Sequence, residues 1–464
     1  MGLRIDPGSG GQFRDVVQKI MEAESKPVRT LEARKAKEDA RMKLFTEFKT
    51  KVSGMGPLLA DIATFRKFRE LKADAGDGDN LISVSLDKDR AEAGKYLMEI
   101  DQLAQRSSSI SNGFEDPDSN SLGIGFITMT LANGKTDEIY IDEKNCSLRG
   151  IAALINHRRN SSVQAAVIKD ASEPDAPWKL IISAKKDGEF NQVDFPQFYF
   201  LDGANDFYVN DDHDAANAEI TIDDFPIELE SNDVNDFLPG VNIHLKQANP
   251  DLPFTLTISE DYPKIAAKVK SLLDQVNQVL QFIYKQNAID QHSDTSTTFA
   301  GDSTLQGLEY LLRNVFHQGY EVYDEESGQT EVVHLSNIGI EFEKSGVVTM
   351  KTDKFIKHLE ANFVVIADAF TTEDGFVATL KEVLDTYSTP GMGFLSVKEE
   401  GLRSRIREMD RQIDAKSRFL DKKKQDVVGK FARLEATLAN LQKQQQYLAS
   451  TLPSGGGISQ LIGG

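Results

Sequence analysis

The 55 residues from Lys398 to Leu452 contain no proline, and that continuity constrains the chain more than anything else in it. Proline removes a backbone donor and clashes inside a helix, so a proline-free stretch with helical apolar spacing predicts one long helix. At 1.5 Å per residue it would extend roughly 80 Å. Every seventh residue along one line is apolar: Ile406, Ile413, Leu420, Val427, Leu434, Leu441 and Leu448. A second line at coiled-coil offset carries Leu402 and Met409 before the middle, and Phe431, Leu438 and Leu452 after it. Between them Lys416, Ser417, Lys423 and Lys424 stand where that line should run, which predicts a change of phase within 416–427. Such a seam is buried either inside its own chain or against further copies, and the pattern alone leaves both open.

The other end of the chain carries a matching pattern. Phe13, Val16, Val17, Ile20 and Met21 share one helical face, and Pro27 is expected to end that helix, with a second starting near Val28. From there Phe45, Phe48, Val52, Met55, Leu59 and Ile62 alternate spacings of three and four, a second seam. Gly54, Gly56 and Pro57 predict a break, with a new helix from Pro57. Two seams at opposite ends can bury one another, so the terminal helices are expected to pack side by side. The glycine-rich extreme ends, residues 1–11 and 453–464, are expected to be disordered.

Between the seams the periodicity changes from helical to alternating. Leu81–Leu86 and Tyr96–Gln105 open the change, and Gly125–Leu131 meets Glu138–Ile141 across Asn133-Gly134, a strong hairpin signal. A short helix at Leu148–Arg158 and strands at Val163–Ile168 and Trp178–Ser183 complete a small α+β piece. After an acidic linker, Asp202–Asp214, strands return at Glu219–Ile222, Val241–Leu245 and Phe254–Ile258. Pairing of these with 81–105 would make the small piece an insertion. Helical spacing resumes at Tyr262, with Leu305–Phe316 and Phe355–Phe370 around a hairpin at Tyr320–His334.

The expected fold is an α+β multidomain chain, in which N- and C-terminal helices form a coiled-coil or helical-bundle leg and two nested β-rich domains form a head. The expected boundaries are 1–44 for the terminal helices, 45–76 with 262–430 for the leg, and 77–120 with 201–261 for the inner head domain. The inserted outer domain takes 121–200, and 431–464 is coil and tail.

Charge follows the same division. Residues 1–75 hold 16 Lys+Arg against 11 Asp+Glu and residues 398–452 hold 13 against 8, a net +5 each, while the remainder holds 24 against 54, or −30. So acidic a centre is a poor partner for nucleic acid, whose phosphates need clustered Lys and Arg. No run of 18 apolar residues exists, so no membrane insertion is expected. The opening MGLRIDPGSGGQF lacks the apolar core of a secretory signal, which by itself points to the cytoplasm.

Chemistry is hard to find in the sequence. Seven histidines are scattered without metal-ligand spacing, no phosphate-binding glycine loop or nucleophile elbow is present, and Cys146 has no His partner that the sequence places. Asp116, Asp118 and Asn120 occupy the first ligand positions of a calcium loop, but Ser121 and Ile127 stand where its glycine and closing glutamate belong. That loop, like Asp211-Asp212-His213-Asp214, is expected to be a solvated acidic segment. No cofactor, metal site or enzyme activity is expected.

Several segments in order resemble one family. Gly8-Ser9-Gly10, Val16-Val17, Ile20-Met21, Ala23-Glu24, Pro27 and Leu31 resemble the opening of the flagellar hook-associated protein 2 family, the filament cap. Ser231-Asn232-Asp233-Val234-Asn235-Asp236-Phe237-Leu238-Pro239-Gly240 resembles its Ser-Asn stretch ending in Pro-Gly, and Ala300-Gly301-Asp302-Ser303-Thr304-Leu305 its Gly-Asp-Ser-Thr-Leu signature. Asn337-Ile338-Gly339-Ile340, Gly346-Val347-Val348 and the closing helix with Phe431, Leu434 and Glu435 complete the series. One departure is Ile222-Asp223-Asp224, where the family ends the strand in Asp-Gly.

The resemblance implies a homo-oligomeric ring at the distal end of a flagellar filament, promoting insertion and folding of exported flagellin. It implies flagellin, hook–filament junction proteins and a type III export chaperone as partners, and secretion by the flagellar type III system without a cleaved signal. That replaces the cytoplasmic reading. The alternative is a surface adhesin whose acidic head binds host or prey surfaces. On either reading the assembly seam comprises Phe45, Phe48, Val52, Met55, Leu59, Ile62, Ile406, Ile413, Leu420, Val427, Phe431, Leu434, Leu438, Leu441 and Leu448.

Overall fold

The computed structural model describes residues 11–131, 134–202, 206–288, 295–324 and 328–451. The ends expected to be disordered, apart from Gly11, lie outside that range, as do Asn133 of the expected turn and Leu452 of the seam. The chain divides into two units: a helical unit of residues 1–65 with 266–464, and a β-rich unit of residues 66–265.

In the helical unit one helix, Gly11–Ser53, runs straight through Pro27. The sequence reading ended it there, and the difference has a physical cause. A mid-helix proline costs about 3 kcal/mol, but Pro27 sits on the exposed face while Val28 beside it is buried. On either side of the proline the inward residues keep one stripe, Val17, Met21, Glu24, Val28, Leu31 and Lys35, so tertiary burial holds the helix together. The break at Gly54 is present, and the next helix, Met55–Ala60, carries Pro57 in its first turn, where the missing N–H has no helical partner to lose.

Phe45, Phe48, Val52, Met55, Leu59 and Ile62 are each 2% exposed or less. Phe48 stacks on Phe282 at 5.2 Å, and Phe45 lies 5.9 Å from Phe299. Around them pack the helices Ser303–His317, Thr352–Ala361, Phe363–Thr371 and Phe376–Ser388 and the hairpin Gly319–Asp324 with Gln329–His334. The C-terminal helix, Phe394–Thr451, runs 58 residues.

The β-rich unit holds two nested modules, each with its own core. In the inner one a five-stranded antiparallel sheet runs in the order Leu71–Asp74, Phe254–Glu260, Gly94–Gln102, Ala218–Ile222, Phe225–Leu229. A three-stranded sheet of Asp233–Leu238, Val241–Leu245 and Ile82–Leu86 shares its core, in which Met98, Ile100, Ile220 and Leu256 meet Ile82, Val241 and Ile243. The strand Leu71–Asp74 therefore belongs to the sheet and not to the leg, whose boundary was expected at 76.

The turn between Ile222 and Phe225 is made by Asp223 at φ 48° and Asp224 at φ 68°, the left-handed pair that a two-residue hairpin needs. Asp223 is held there by Leu97, whose N–H donates to its carboxylate at 3.0 Å. Asp224 stands where the family has glycine, and aspartate is among the few other residues that tolerate this region.

The outer module pairs Thr136–Ile141, Gly125–Thr130 and Gln197–Phe200 in one sheet, and Val209–His213, Ser108–Ser111, Trp178–Ala184 and Val163–Lys169 in another. The helix Leu148–Asn156, capped by Ser147, closes its core on Ile127, Ile139, Leu180 and Ile182. Strands 108–111 and 209–213 were expected in the inner domain and in a linker. Ser109–Ile182 pairing and the Ser109 hydroxyl on the Asp212 carboxylate bring them outward, so the insertion is longer than 121–200.

Phe48→Ala removes a fully buried ring from the helical core, and a loss of roughly 3–5 kcal/mol in unfolding free energy is expected. Urea titration followed by circular dichroism measures it.

Candidate assembly surface

The first and last long helices lie against each other. Three ion pairs set their direction: Glu24 with Lys423 at 2.6 Å, Lys35 with Asp410 at 2.5 Å and Lys49 with Glu399 at 2.5 Å. Numbers rise on one helix as they fall on the other, so the pairing is antiparallel. Along the N-terminal helix the inward residues recur at alternating steps of four and three, continuing through Glu38, Met42 and Phe45. On the C-terminal helix Leu402 is buried, and Ile406, Met409, Ile413, Ser417, Leu420, Val427 and Phe431 are half-buried. The step from Ile413 to Ser417 is four where three would keep the heptad. The change of phase expected within 416–427 therefore falls at Ser417.

The terminal helices pack side by side as expected, and the first half of the C-terminal helix also meets Phe376–Ser388.

By this register Gly11, the first described residue, falls opposite about residue 436. Leu434, Leu438, Leu441 and Leu448 are 46%, 42%, 54% and 58% exposed. The expected seam thus separates into three classes. Phe45 through Ile62 are core of the helical unit, Ile406 through Phe431 are half-buried along the helix pair, and the distal leucines face outward.

The sequence reading missed the charged partners within the seam. Glu24, Lys35 and Glu38 occupy stripe positions on one helix, and Asp410 and Lys423 are half-buried on the other. Opposite charges at seam positions of two helices, read in reversed order, would have been the signal for them.

A further lock lies at the root of the C-terminal helix. Asp302 caps Ser303–His317 by accepting from the Thr304 N–H at 3.0 Å, and the Lys398 ammonium pairs with the same carboxylate. The Gly-Asp-Ser-Thr-Leu segment is therefore a helix start that also anchors the long helix. Among the described residues no group of three His, Cys, Asp or Glu could hold a metal ion. Asp118 pairs with Arg149 at 2.6 Å.

Comparison with known proteins follows the same outline. The patterns that define the flagellar hook-associated protein 2 N-terminus and C-terminus match residues 9–107 and 215–443. The B-type flagellar hook-associated protein 2 of Pseudomonas aeruginosa is 24% identical, covering 98% of each chain. The flagellar hook-associated protein 2 of Xenorhabdus nematophila is 22% identical over 97% of this chain and 99% of its own. Among solved structures, the D1-D2-D3 domains of the flagellar cap protein FliD from Escherichia coli superpose with a TM-score of 0.55 at 18% identity, over 78% of this chain and 99% of that one.

The Lys49 ammonium, hydrogen-bonded to Glu399, holds that carboxyl below its ordinary value of 4.5, with Arg403 adding to the effect and partial burial opposing it. A depressed acid stabilises the fold fully above its unfolded pKa and loses that contribution as pH falls through the folded value. Glu399→Gln is thus expected to melt below the wild type at neutral pH, and the gap should close as the solution is acidified below 4.5. Melting curves across pH check this.

Proposed function

Because this chain belongs to the flagellar hook-associated protein 2 family, we propose that it caps the distal end of a flagellar filament as a ring of identical copies. The observation that carries the structural part is the exposed leucine line at the end of the C-terminal helix. Leu434, Leu438 and Leu441 repeat at heptad spacing yet remain 42–54% exposed. A contiguous apolar line on a soluble surface marks an interaction site more often than a packing fault. In the cap this line is the contact that each copy offers to its neighbours and to newly exported flagellin.

The acidic remainder, −30 by count, is consistent with a part that stays in water and promotes insertion and folding of flagellin without nucleic-acid contact. Hook–filament junction proteins and an export chaperone are further partners on this reading. The localisation is the filament tip, reached by type III export as an unfolded chain. One thiol, Cys146, is buried and free, so no disulfide has to be undone for such passage.

Deleting the gene should abolish filaments and release unassembled flagellin into the medium; normal filaments in the deletion strain would refute the capping role. Leu434→Asp with Leu441→Asp should keep the wild-type circular dichroism and melting temperature, since both sites are exposed. The same variant should fail to restore swimming and should lower the oligomer mass seen by light scattering. Full complementation by it would move the assembly contact elsewhere.

A further inference from the structure

We infer that a second copy of this chain docks on the β-rich unit through two charge pairs of opposite sign, a cationic pair on the outer module and an anionic pair on the inner one. The inference rests on the ring of identical copies proposed above and names a contact within it.

The cationic pair stands at one end of the outer sheet that contains Ser108–Ser111 and Trp178–Ala184. Ser108 lies opposite Ser183, and the Ala184 N–H donates to the Ser107 carbonyl at 2.8 Å, so one step further the register sets Arg106 opposite Lys185. Ser107, Ser109, Ile182 and Ala184 are buried. By alternation Arg106 and Lys185 fall on the solvent face, and both are exposed.

The anionic pair stands on the inner five-stranded sheet, where Glu219 lies directly opposite Glu228. Ala218, Ile220 and Ile222 are buried, so the two carboxylates share the solvent face, and both are exposed. Asp101 on the neighbouring strand adds a third carboxylate, which accepts from the Thr221 hydroxyl at 3.1 Å. No Lys or Arg occurs between Lys186 and Lys246, so the two strands that carry the glutamates hold no cation of their own.

Like charges directly opposite one another destabilise a sheet. Among the described residues Arg106, Lys185 and Glu219 form no ion pair, and the Glu228 carboxylate accepts from the neutral Asn217 amide at 2.7 Å. Packing within one copy therefore accounts for neither pair, and each is the other's complement.

Charge also selects the occupant. Residues 66–265 hold 19 Lys+Arg against 37 Asp+Glu, a net −18, so a long polyanion drawn to Arg106 and Lys185 would be repelled by the rest of the unit. A metal ion on the glutamates is disfavoured in turn, because among the described residues no group of three ligands could hold one. A second copy presents both complements at once. Two different patches that fit each other on neighbouring copies make a heterologous contact, the kind that closes into a ring.

Light scattering of the full chain tests the contact with two charge-reversed variants, Arg106→Glu with Lys185→Glu, and Glu219→Lys with Glu228→Lys. Each keeps a like-charge pair where one stood before, so its circular dichroism and melting temperature should match the wild type. Alone, each should show a lower oligomer mass, since its two patches then carry one sign. Mixed in equal amounts, the two should recover the wild-type mass, because the acidic variant meets the basic one. Salt at about 1 M, with a screening length of about 3 Å, should lower the wild-type mass as well. The milder Lys185→Gln should also lower it, in a chain that melts no earlier than the wild type. Unchanged mass in the reversed variants or in Lys185→Gln overturns the proposal, as does a mixture no heavier than its components. The readout is oligomer mass and not filament growth, so this contact can fail while the capping role stands, and the capping role can fail at the gene deletion while this contact stands.

Discussion

The antiparallel pairing of the first long helix with the last is the interaction on which the helical unit depends. It joins segments that lie 350 or more residues apart, the Lys49–Glu399 pair being 350 apart. Closing so long a loop is entropically unfavourable but only logarithmically so. The apolar stripe supplies the driving force, at about 1.5–3 kcal/mol for each fully buried aliphatic side chain and less for half-buried ones. Exposed or half-exposed ion pairs contribute about 0–1 kcal/mol each. Stability therefore comes from the apolar residues. What the charges supply is register. Sliding the helices by one heptad in one direction sets Lys35 near Arg403 and Lys49 near Met392. In the other direction it sets Lys35 near Ser417 and Lys49 near Ile406. Either shift loses two of the three pairs, while the apolar stripe alone would tolerate both.

In the β-rich unit the corresponding task is to hold an inserted module to its host. A few polar groups do this. The Asn232 amide accepts from the Ala104 N–H at 2.9 Å and donates to the Ala104 carbonyl at 2.8 Å and to the Asp187 carboxylate at 3.0 Å. Asp187 also accepts from the Asn232 N–H at 3.0 Å. Next to it Gly188 stands at φ 93°, and a Cβ there would lie 1.9 Å from the Glu230 carbonyl oxygen. The chain leaves and re-enters the inner module through a polar clasp that admits no side chain at one point. The Ser-Asn stretch noted in the sequence is part of that clasp.

Much of this was legible in the sequence. The strands Val163–Lys169 and Trp178–Ala184, the helix Leu148–Asn156 and the hairpin Gly319–His334 follow from alternation and turn residues. The misreadings share a cause: a local rule was overruled by a distant partner. Pro27 breaks helices in isolation, but here the C-terminal helix holds both sides of it. Val209–His213 is too acidic to announce a strand, yet Ser108–Ser111 pairs with it. Phe225–Leu229 is an edge strand with little burial, so it carries almost no alternation. Along the long helices, periodicity marked the apolar positions but could not tell core from exposed leucine, since both obey the same spacing.

The phase change at Ser417 bears on that distinction. Beyond it the half-buried line runs Leu420, Val427, Phe431, Glu435, whereas Leu434, Leu441 and Leu448 keep the seven-residue repeat. At about 100° per residue, Leu434 and Leu441 lie some 60–80° around the helix from Phe431. Together the two lines form an arc of roughly 100°, wider than the narrow seam that a two-stranded coil uses. One antiparallel neighbour covers one edge of such an arc. The other edge, with Leu434, Leu441 and Leu448, stays 46–58% exposed.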